Sequence, residues 1–352
     1  MKKVRKTRKN KRIIAKNRLV YPVAFALILA SVIVTAYTIT QNPLASHTQT
    51  NKTQAVYHNA TDATKTLSGN AINQAILYAQ VTPQTGYTLP FKWGNSIKKL
   101  VGAGALNVSN LTIILNNYHQ PLTFSEKEIL NGTYTGYIQF NSTNTEFVQL
   151  VLWGLGINDN NTIITKGAII NASVPYANSI NNNATLRQRL NQNVTPYWVA
   201  SRYFASTGGY GPIGKLQLGM LNIISLSPSE QIIADYTAEN SYRPCCDNPT
   251  AFPDCNHGAA ALGLTELLAS QGANKGQIFN AIRYFYQYQF PQQYTEIAAY
   301  FDSQGQNYSQ VNSSKVMSYS FSSLSGYYAV HQYLLKNGVL AQSGAGSAAC
   351  GA

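Results

Sequence analysis

Three cysteines and one histidine crowd into the stretch "RPCCDNPTAFPDCNHG", residues 243–258. The order is Cys245, Cys246, eight residues, Cys255, one residue, His257. Thiolates and imidazole are the donors that Zn²⁺ and Cu(I) prefer. Three sulfurs and a ring nitrogen complete a tetrahedral site. Cys245, Cys246, Cys255 and His257 are therefore the expected metal ligands, for zinc before copper. Two cysteines plus the histidine, with the third cysteine outside, would leave an open position suited to catalysis. The spacing is not that of a standard zinc finger. Without a Cys-x-x-Cys-His run, a haem link is not supported.

The same residues admit two other chemistries. Oxidised, Cys246 could pair with Cys255 and Cys245 with Cys350, the fourth cysteine; a bridge between the adjacent Cys245 and Cys246 would be strained. Alternatively, Cys255 could be a nucleophile activated at a helix N-terminus, with His257 as base and Glu266, Asp254 or Asp247 as the orienting acid. A metal- or thiol-dependent hydrolase would follow. A surface protein braced only by disulfides is the remaining alternative.

These groups need elements to hold them. "GAAALGLTELLASQG" reads as a helix starting at Gly258 and stopped by Gly272, which puts Cys255 and His257 at its mouth. The two prolines of "DNPTAFPD" suit a stiff turn returning Cys255 to the cysteine pair. "SPSEQIIADYTAEN" carries Ser227 as N-cap, Pro228 at the first position and Glu230 closing a capping box. Thr123 and Glu126 repeat that box in "LTFSEKEIL". "NKGQIFNAIRYFYQYQF", "PQQYTEIAAYFDSQG" and "SLSGYYAVHQYLLKNG" continue the helical pattern. Phe279, Ile282, Phe285 and Tyr286 lie at helical spacing as core positions. "TEFVQLVLWGLGI" predicts a buried helix, "AINQAILYAQ" a short one, and "YTGYIQF" a strand. "LPFKWGNSIKKLVGAGAL" reads as a turn and then a helix burying Ile97, Leu100 and Val101. The Asn-rich run 158–193 reads as surface loops. Trp93, Trp153 and Trp198 are expected in the core. His331 is expected to be structural, and His119 solvated in a loop and a reserve ligand. "FASTGGYGPIGK", with Ser206, Thr207, Gly208, Gly209 and Lys215, lacks Walker spacing and reads as a tight turn.

The first eighteen residues carry ten Lys or Arg and no acid, and residues 19–39 carry no charge. At 1.5 Å per residue, twenty-one helical residues span about 30 Å, a bilayer's hydrocarbon core. The basic side stays in the cytoplasm. The expected organisation is a basic cytoplasmic tail (1–18), a transmembrane helix (19–39) and a polar stalk (40–70) that includes His47 and His58. A sequon-rich lobe (71–195), a helical lobe with the Cys/His cluster (196–342) and a small-residue tail (343–352) follow. The fold class is mainly α: a single-pass N-terminal anchor followed by a mostly helical extracytoplasmic domain with room for two lobes.

The formal charge is +13 from 26 basic and 13 acidic residues. Beyond residue 18 that balance is sixteen to thirteen, so the pI is no argument for nucleic acid. The expected partners are membrane lipid, through the 19–39 helix and the basic tail, and other cell-surface proteins. Twelve Asn-x-Ser/Thr sequons begin at Asn51, Asn59, Asn107, Asn110, Asn131, Asn141, Asn160, Asn171, Asn183, Asn193, Asn307 and Asn312. They suggest a glycosylated outer part.

The blocks "FKWGNSIKKLVGAGAL", "LWGLGI", "FASTGGY", "YRPCCDNPTAFPDCNHGAAALGLTELLASQGA" and "FPQQY", from about residue 90 to 295, together resemble a family of uncharacterised prokaryotic exported proteins. The double cysteine followed by Cys-Asn-His-Gly is the most specific of them. The resemblance implies one conserved domain and brings no activity, substrate or cofactor.

Overall fold

The computed structural model describes residues 74–206, 210–211 and 213–340. The expected tail 1–18, span 19–39, stalk 40–70 with His47 and His58, tail 343–352, Cys350 and the turn residues Thr207, Gly208 and Gly209 lie outside them. No helix among the described residues is long and apolar enough to cross a membrane.

The described chain is mainly helical, as composition and periodicity suggest. In order it forms α1 (Gln74–Val81), β1 (Tyr87–Lys92), α2 (Ser96–Gly102), α3 (Val108–Asn117), α4 (Phe124–Asn131), β2 (Tyr137–Phe140) and α5 (Thr145–Asn158). Next come α6 (Thr162–Thr165), α7 (Ala168–Asn182), α8 (Ala184–Leu190), α9 (Pro196–Ser206), α10 (Pro228–Glu239), α11 (Asn256–Ala269) and α12 (Lys275–Gln289). The last helices among the described residues are α13 (Pro291–Ser303), α14 (Ser313–Val316), α15 (Tyr319–Ser322) and α16 (Leu324–Lys336).

The chain divides into two compact units, one comprising residues 170–206 and the other 74–169 together with 210–340. The larger unit thus joins residues from both sides of position 195. Within the smaller unit, the Asn181 side chain clasps residue 194: its Nδ2 donates to Val194 O and its Oδ1 accepts from Val194 N.

Local chemistry explains most boundaries. Thr123 and Ser227 each close a capping box with the glutamate three residues on, and Asn274 does so with Gln277. Gly132 and Gly272 take left-handed φ just past helix ends, where a side chain would be strained. Two expectations need correction. The run 158–193 is not loop but contains α6, α7 and α8. Asn161 and Asn183 act there as caps, and positions 169, 173 and 177 recur at helical spacing. Residues 89–92 are not a turn but part of β1, paired antiparallel with β2. Its alternation is plain, Leu89 and Phe91 buried between exposed neighbours, but Pro90 disguises it. The pairing is irregular between Thr88 and Lys92, where that proline removes an N–H. Ile97 and Leu100 are buried as expected, Val101 only partly. Trp93 and Trp153 are core and Trp198 half-buried.

The larger unit is built on α5 and α11, whose mutual contact is the most extensive between any two helices. From Phe147 through Asn158, and from Gly258 through Ala269, every residue is buried. The backbones touch at two glycines. A Cβ on Gly156 would lie 2.0 Å from Ala259 O and 2.5 Å from Gly263 N, and one on Gly263 would lie 2.3 Å from Leu152 O. Asp159 and Glu266 are neighbours one turn further along both helices. Glu146, at the start of α5, feels the charge of His257 near the start of α11. These pairings advance together, so the two helices run in the same sense. The start of α5 is therefore beside the Cys/His end of α11.

Glu266 is fully buried, and its carboxyl is hydrogen-bonded to the side chain of Asp159. Burial, then the adjacent Asp159 carboxylate, raises it well above the usual carboxylate range and favours its protonated form. Asp159, raised by burial, accepts from Ile223 N at 2.7 Å and Ile224 N at 3.1 Å.

Three substitutions test these features. Gly156→Ala should destabilise by about 3 kcal/mol, because backbone rather than a mobile side chain must yield. Gly102→Ala, where a Cβ meets nothing within 4 Å, should be neutral or slightly stabilising in urea denaturation. For Glu266, the unfolded chain releases its proton near pH 4.3, while the native chain keeps it to higher pH. The native state then binds more protons, and stability falls as pH rises above that point. Glu266→Gln should match the native protein near pH 4 and exceed it at pH 8, by about 1.4 kcal/mol per pH unit of elevation. Identical pH–stability curves for the two proteins would refute a buried protonated acid.

Candidate metal centre

The cluster is carried by the loop between α10 and α11 and by the first turn of α11. The loop begins as a short hairpin. Thr250 N donates to Ser241 O, the hydroxyls of Ser241 and Thr250 bond at 2.9 Å, and Tyr242 bridges to Pro249. Its outer side is pinned to α16. Leu324 N donates to Cys246 O, while Ser325 N and Oγ donate to the two oxygens of Asp247 at 2.8 and 2.6 Å.

Inside the loop lies the guanidinium of Arg243, with no solvent exposure. It has five N–H donors and all find partners. Nε donates to Cys255 Sγ at 3.1 Å. Nη1 donates to the carbonyls of Asn248 and Pro249 at 3.0 and 3.1 Å. Nη2 donates to Phe252 O at 3.1 Å and to Asp254 Oδ1. Asn248 Nδ2 holds the other oxygen of Asp254 at 2.6 Å. Burial opposes the arginine's charge, but Cys246, Cys255 and Asp254 outweigh it and raise Arg243 further above its ordinary value. Burial pushes the Asp254 carboxyl up to about 6 despite the arginine beside it. Gly258 is required next to this group, since a Cβ there would lie 2.6 Å from the guanidinium carbon.

Cys255 is the N-cap of α11, and its sulfur accepts from Gly258 N at 3.5 Å. Hydrogen bonds from Cys245 and Cys246 lead the causes that hold its thiol well below the usual range, with Arg243 and His257 adding to them against burial. Cys245 pulls Cys246 down, but the hydrogen bond of Cys246 to Cys255, together with burial, pushes it up to about 12. His257 packs its ring on Phe290, 4.5 Å between centroids, and its carbonyl accepts from Tyr286 Oη at 3.2 Å.

The ligand atoms form two groups, each with all members within 4.8 Å of one another. One is Cys245, Cys255 and His257; the other is Cys246, Asp254 and Cys255. The Cys/His groups are thus close enough to hold a metal ion. No disulfide links Cys245, Cys246 and Cys255 to one another. The expected four ligands are divided, with Cys255 shared and no single group holding all four.

The candidate acids fare differently. Glu266 belongs to neither group; it sits nine residues beyond His257, against Asp159. Asp247 is bound to α16, and Asp254 to Arg243 and Asn248. His119 is exposed, with a left-handed φ of 57°, and belongs to neither group. His331 is structural as expected: its Nδ1 lies 2.8 Å from Glu296 Oε2, which also accepts from Tyr327. Arg243, Asn248 and Glu146 are the residues that spacing did not indicate. An arginine two positions before a cysteine pair was a usable signal; Glu146, a hundred residues upstream, gave none.

Compared with known protein families, curated proteins and solved structures, the chain matches none.

The arginine's role can be tested by replacement. Arg243→Lys supplies three donors where five are used and leaves loop carbonyls buried without partners. It should destabilise by about 3 kcal/mol in chemical denaturation. A cost under about 0.5 kcal/mol, typical of a surface position, would contradict that reading.

Proposed function

We propose that the chain binds one soft metal ion, zinc before copper, through Cys245, Cys255 and His257. The observation that carries this is the convergence of two sulfurs and an imidazole within 4.8 Å of one another at the mouth of α11. About 3.8 Å between sulfurs is the edge of a zinc tetrahedron with 2.3 Å bonds, so the group needs little rearrangement. Arg243 and the first turn of α11 favour the thiolate form that a metal requires. Cys246 stands outside this set, which leaves a fourth position for water or an incoming ligand. A zinc ion there would supply Lewis acidity and acidify such a water.

A thiol hydrolase has less support. Of its expected orienting acids, Glu266 is elsewhere, and Asp254 and Asp247 are engaged by Arg243, Asn248 and Ser325. We place the site outside the cell, on a chain anchored by residues 19–39; the basic tail and the uncharged span support that placement.

The test is metal analysis of the purified full chain after dialysis, with zinc and copper supplied separately. One equivalent is expected in the native chain and in Cys246→Ser, and none in His257→Ala or Cys245→Ser. A native chain that retains neither metal, or a histidine variant that retains a full equivalent, would sink the assignment.

A further inference from the structure

Cys255 belongs to both ligand groups, and its two uses exclude each other. As a thiolate it completes the metal set with Cys245 and His257. As half of a disulfide it would lose the charge that makes it a ligand. The second group supplies the partner for that bond, since Cys246 Sγ lies within 4.8 Å of Cys255 Sγ and has no place beside His257 in the first.

We infer that the metal centre is redox-gated: oxidation joins Cys246 to Cys255, expels the metal, and reduction restores the site. This rests on the metal reading above.

The loop is built for closure. Residues 246–255 already return on themselves, because Arg243 bonds Cys255 and Asp254 at one end and the carbonyls of Asn248, Pro249 and Phe252 between. The ends are fixed from outside as well, at Cys246 O by α16 and at Cys255 by its place as N-cap of α11. Disulfide formation then needs the sulfurs to approach to about 2.05 Å by side-chain rotation, with the chain between them already folded. Cys245 also neighbours Cys255, but its removal would take a ligand from the metal set rather than a partner from outside it.

With a peroxide as oxidant the steps balance. The Cys255 thiolate attacks one peroxide oxygen; an S–O bond forms, the O–O bond breaks, and hydroxide leaves. The Cys246 thiol then attacks the Cys255 sulfur. The S–S bond forms, the S–O bond breaks, and water leaves carrying the Cys246 proton. Two cysteines lose two electrons, and hydrogen peroxide becomes water and hydroxide. A dithiol reverses the bond by exchange.

The experiment uses the full chain loaded with zinc and treated with hydrogen peroxide. Zinc release is followed with a chromogenic chelator, and thiols are counted. The native chain is expected to release its zinc, lose two thiols and recover both on dithiothreitol treatment. Cleavage before Asp247 and Asp254 should then find the peptide ending at Cys246 bridged to the one containing Cys255. Cys246→Ser should bind zinc normally and release it at least about tenfold more slowly, with no bridge to Cys255. Circular dichroism confirms that the variant is folded, and Cys246→Ala gives a second version of the same change. Equal release rates in the native and variant chains overturn the inference. So does a bridge to Cys255 that persists in Cys246→Ser and therefore belongs to Cys245. A native chain that binds no zinc overturns the metal reading as well, whereas bound zinc without the bridge overturns only the gate.

Discussion

A guanidinium buried without water is tolerated only where its charge and its five donors are all answered. Arg243 meets both conditions, and the rest of the site follows from how it does so. Three of its bonds go to main-chain carbonyls, which fixes the path of the loop from Asn248 to Phe252. The other two go to Asp254 and to the Cys255 sulfur. The arginine thus draws negative charge toward itself, and the nearest sulfur is favoured as thiolate. The shape comes from this side chain, and the chemistry is shared, since Cys245 and Cys246 favour the Cys255 thiolate first and Arg243 adds to them. The loop is folded by the same bonds that prepare Cys255 to hold a cation.

That arrangement needs a rigid floor, which α11 provides. The helix is buried from Gly258 onward and locked against α5 by two glycines that let the backbones meet. Close backbone approach leaves no room for adjustment, so the first turn of α11 cannot drift without moving the core. The shared direction of the two helices also brings Glu146 toward His257 while Asp159 and Glu266 meet at the far end. One acid therefore faces the half-buried site, and the other is sealed in the interior, where its protonated form is favoured. Burial raises both carboxyls, Glu146 against the opposing charge of His257 and Glu266 with the added influence of Asp159.

The features legible in the sequence were those written locally. Capping boxes at Thr123 and Ser227, the stop at Gly272, and the apolar spacing of Phe279, Ile282 and Phe285 each depend on residues within a few positions. The convergence of cysteine and histidine was also local, within thirteen residues. What was not legible depended on distance or on composition. The strand over Tyr87–Lys92 is decided by a partner fifty residues away and was hidden by Pro90. Helix α7 was hidden by its asparagines. The division of the four ligands depends on side-chain direction, which spacing alone does not encode. Glu266 illustrates the limit from the other side: its distance from Cys255 along a helix was countable, yet its burial against Asp159 was not.

The asparagines missed as helix formers also bear on the sequons. Asn107 and Asn183 cap α3 and α8, each accepting from the backbone N–H three residues on. Asn141, Asn307 and Asn312 accept instead from both the N–H and the hydroxyl of the Ser or Thr two positions later. That second pattern is the sequon itself, used as a turn. A chain with many short helices and few charges needs many neutral caps, and Asn-x-Ser/Thr satisfies two donors with one side-chain oxygen. The abundance of the motif therefore has a folding cause that operates whether or not a sugar is attached. The two uses are also compatible, because capping occupies Oδ1 and a glycan is carried on Nδ2. Sequon count alone is consequently a weak guide to glycosylation in a protein whose turns are built this way.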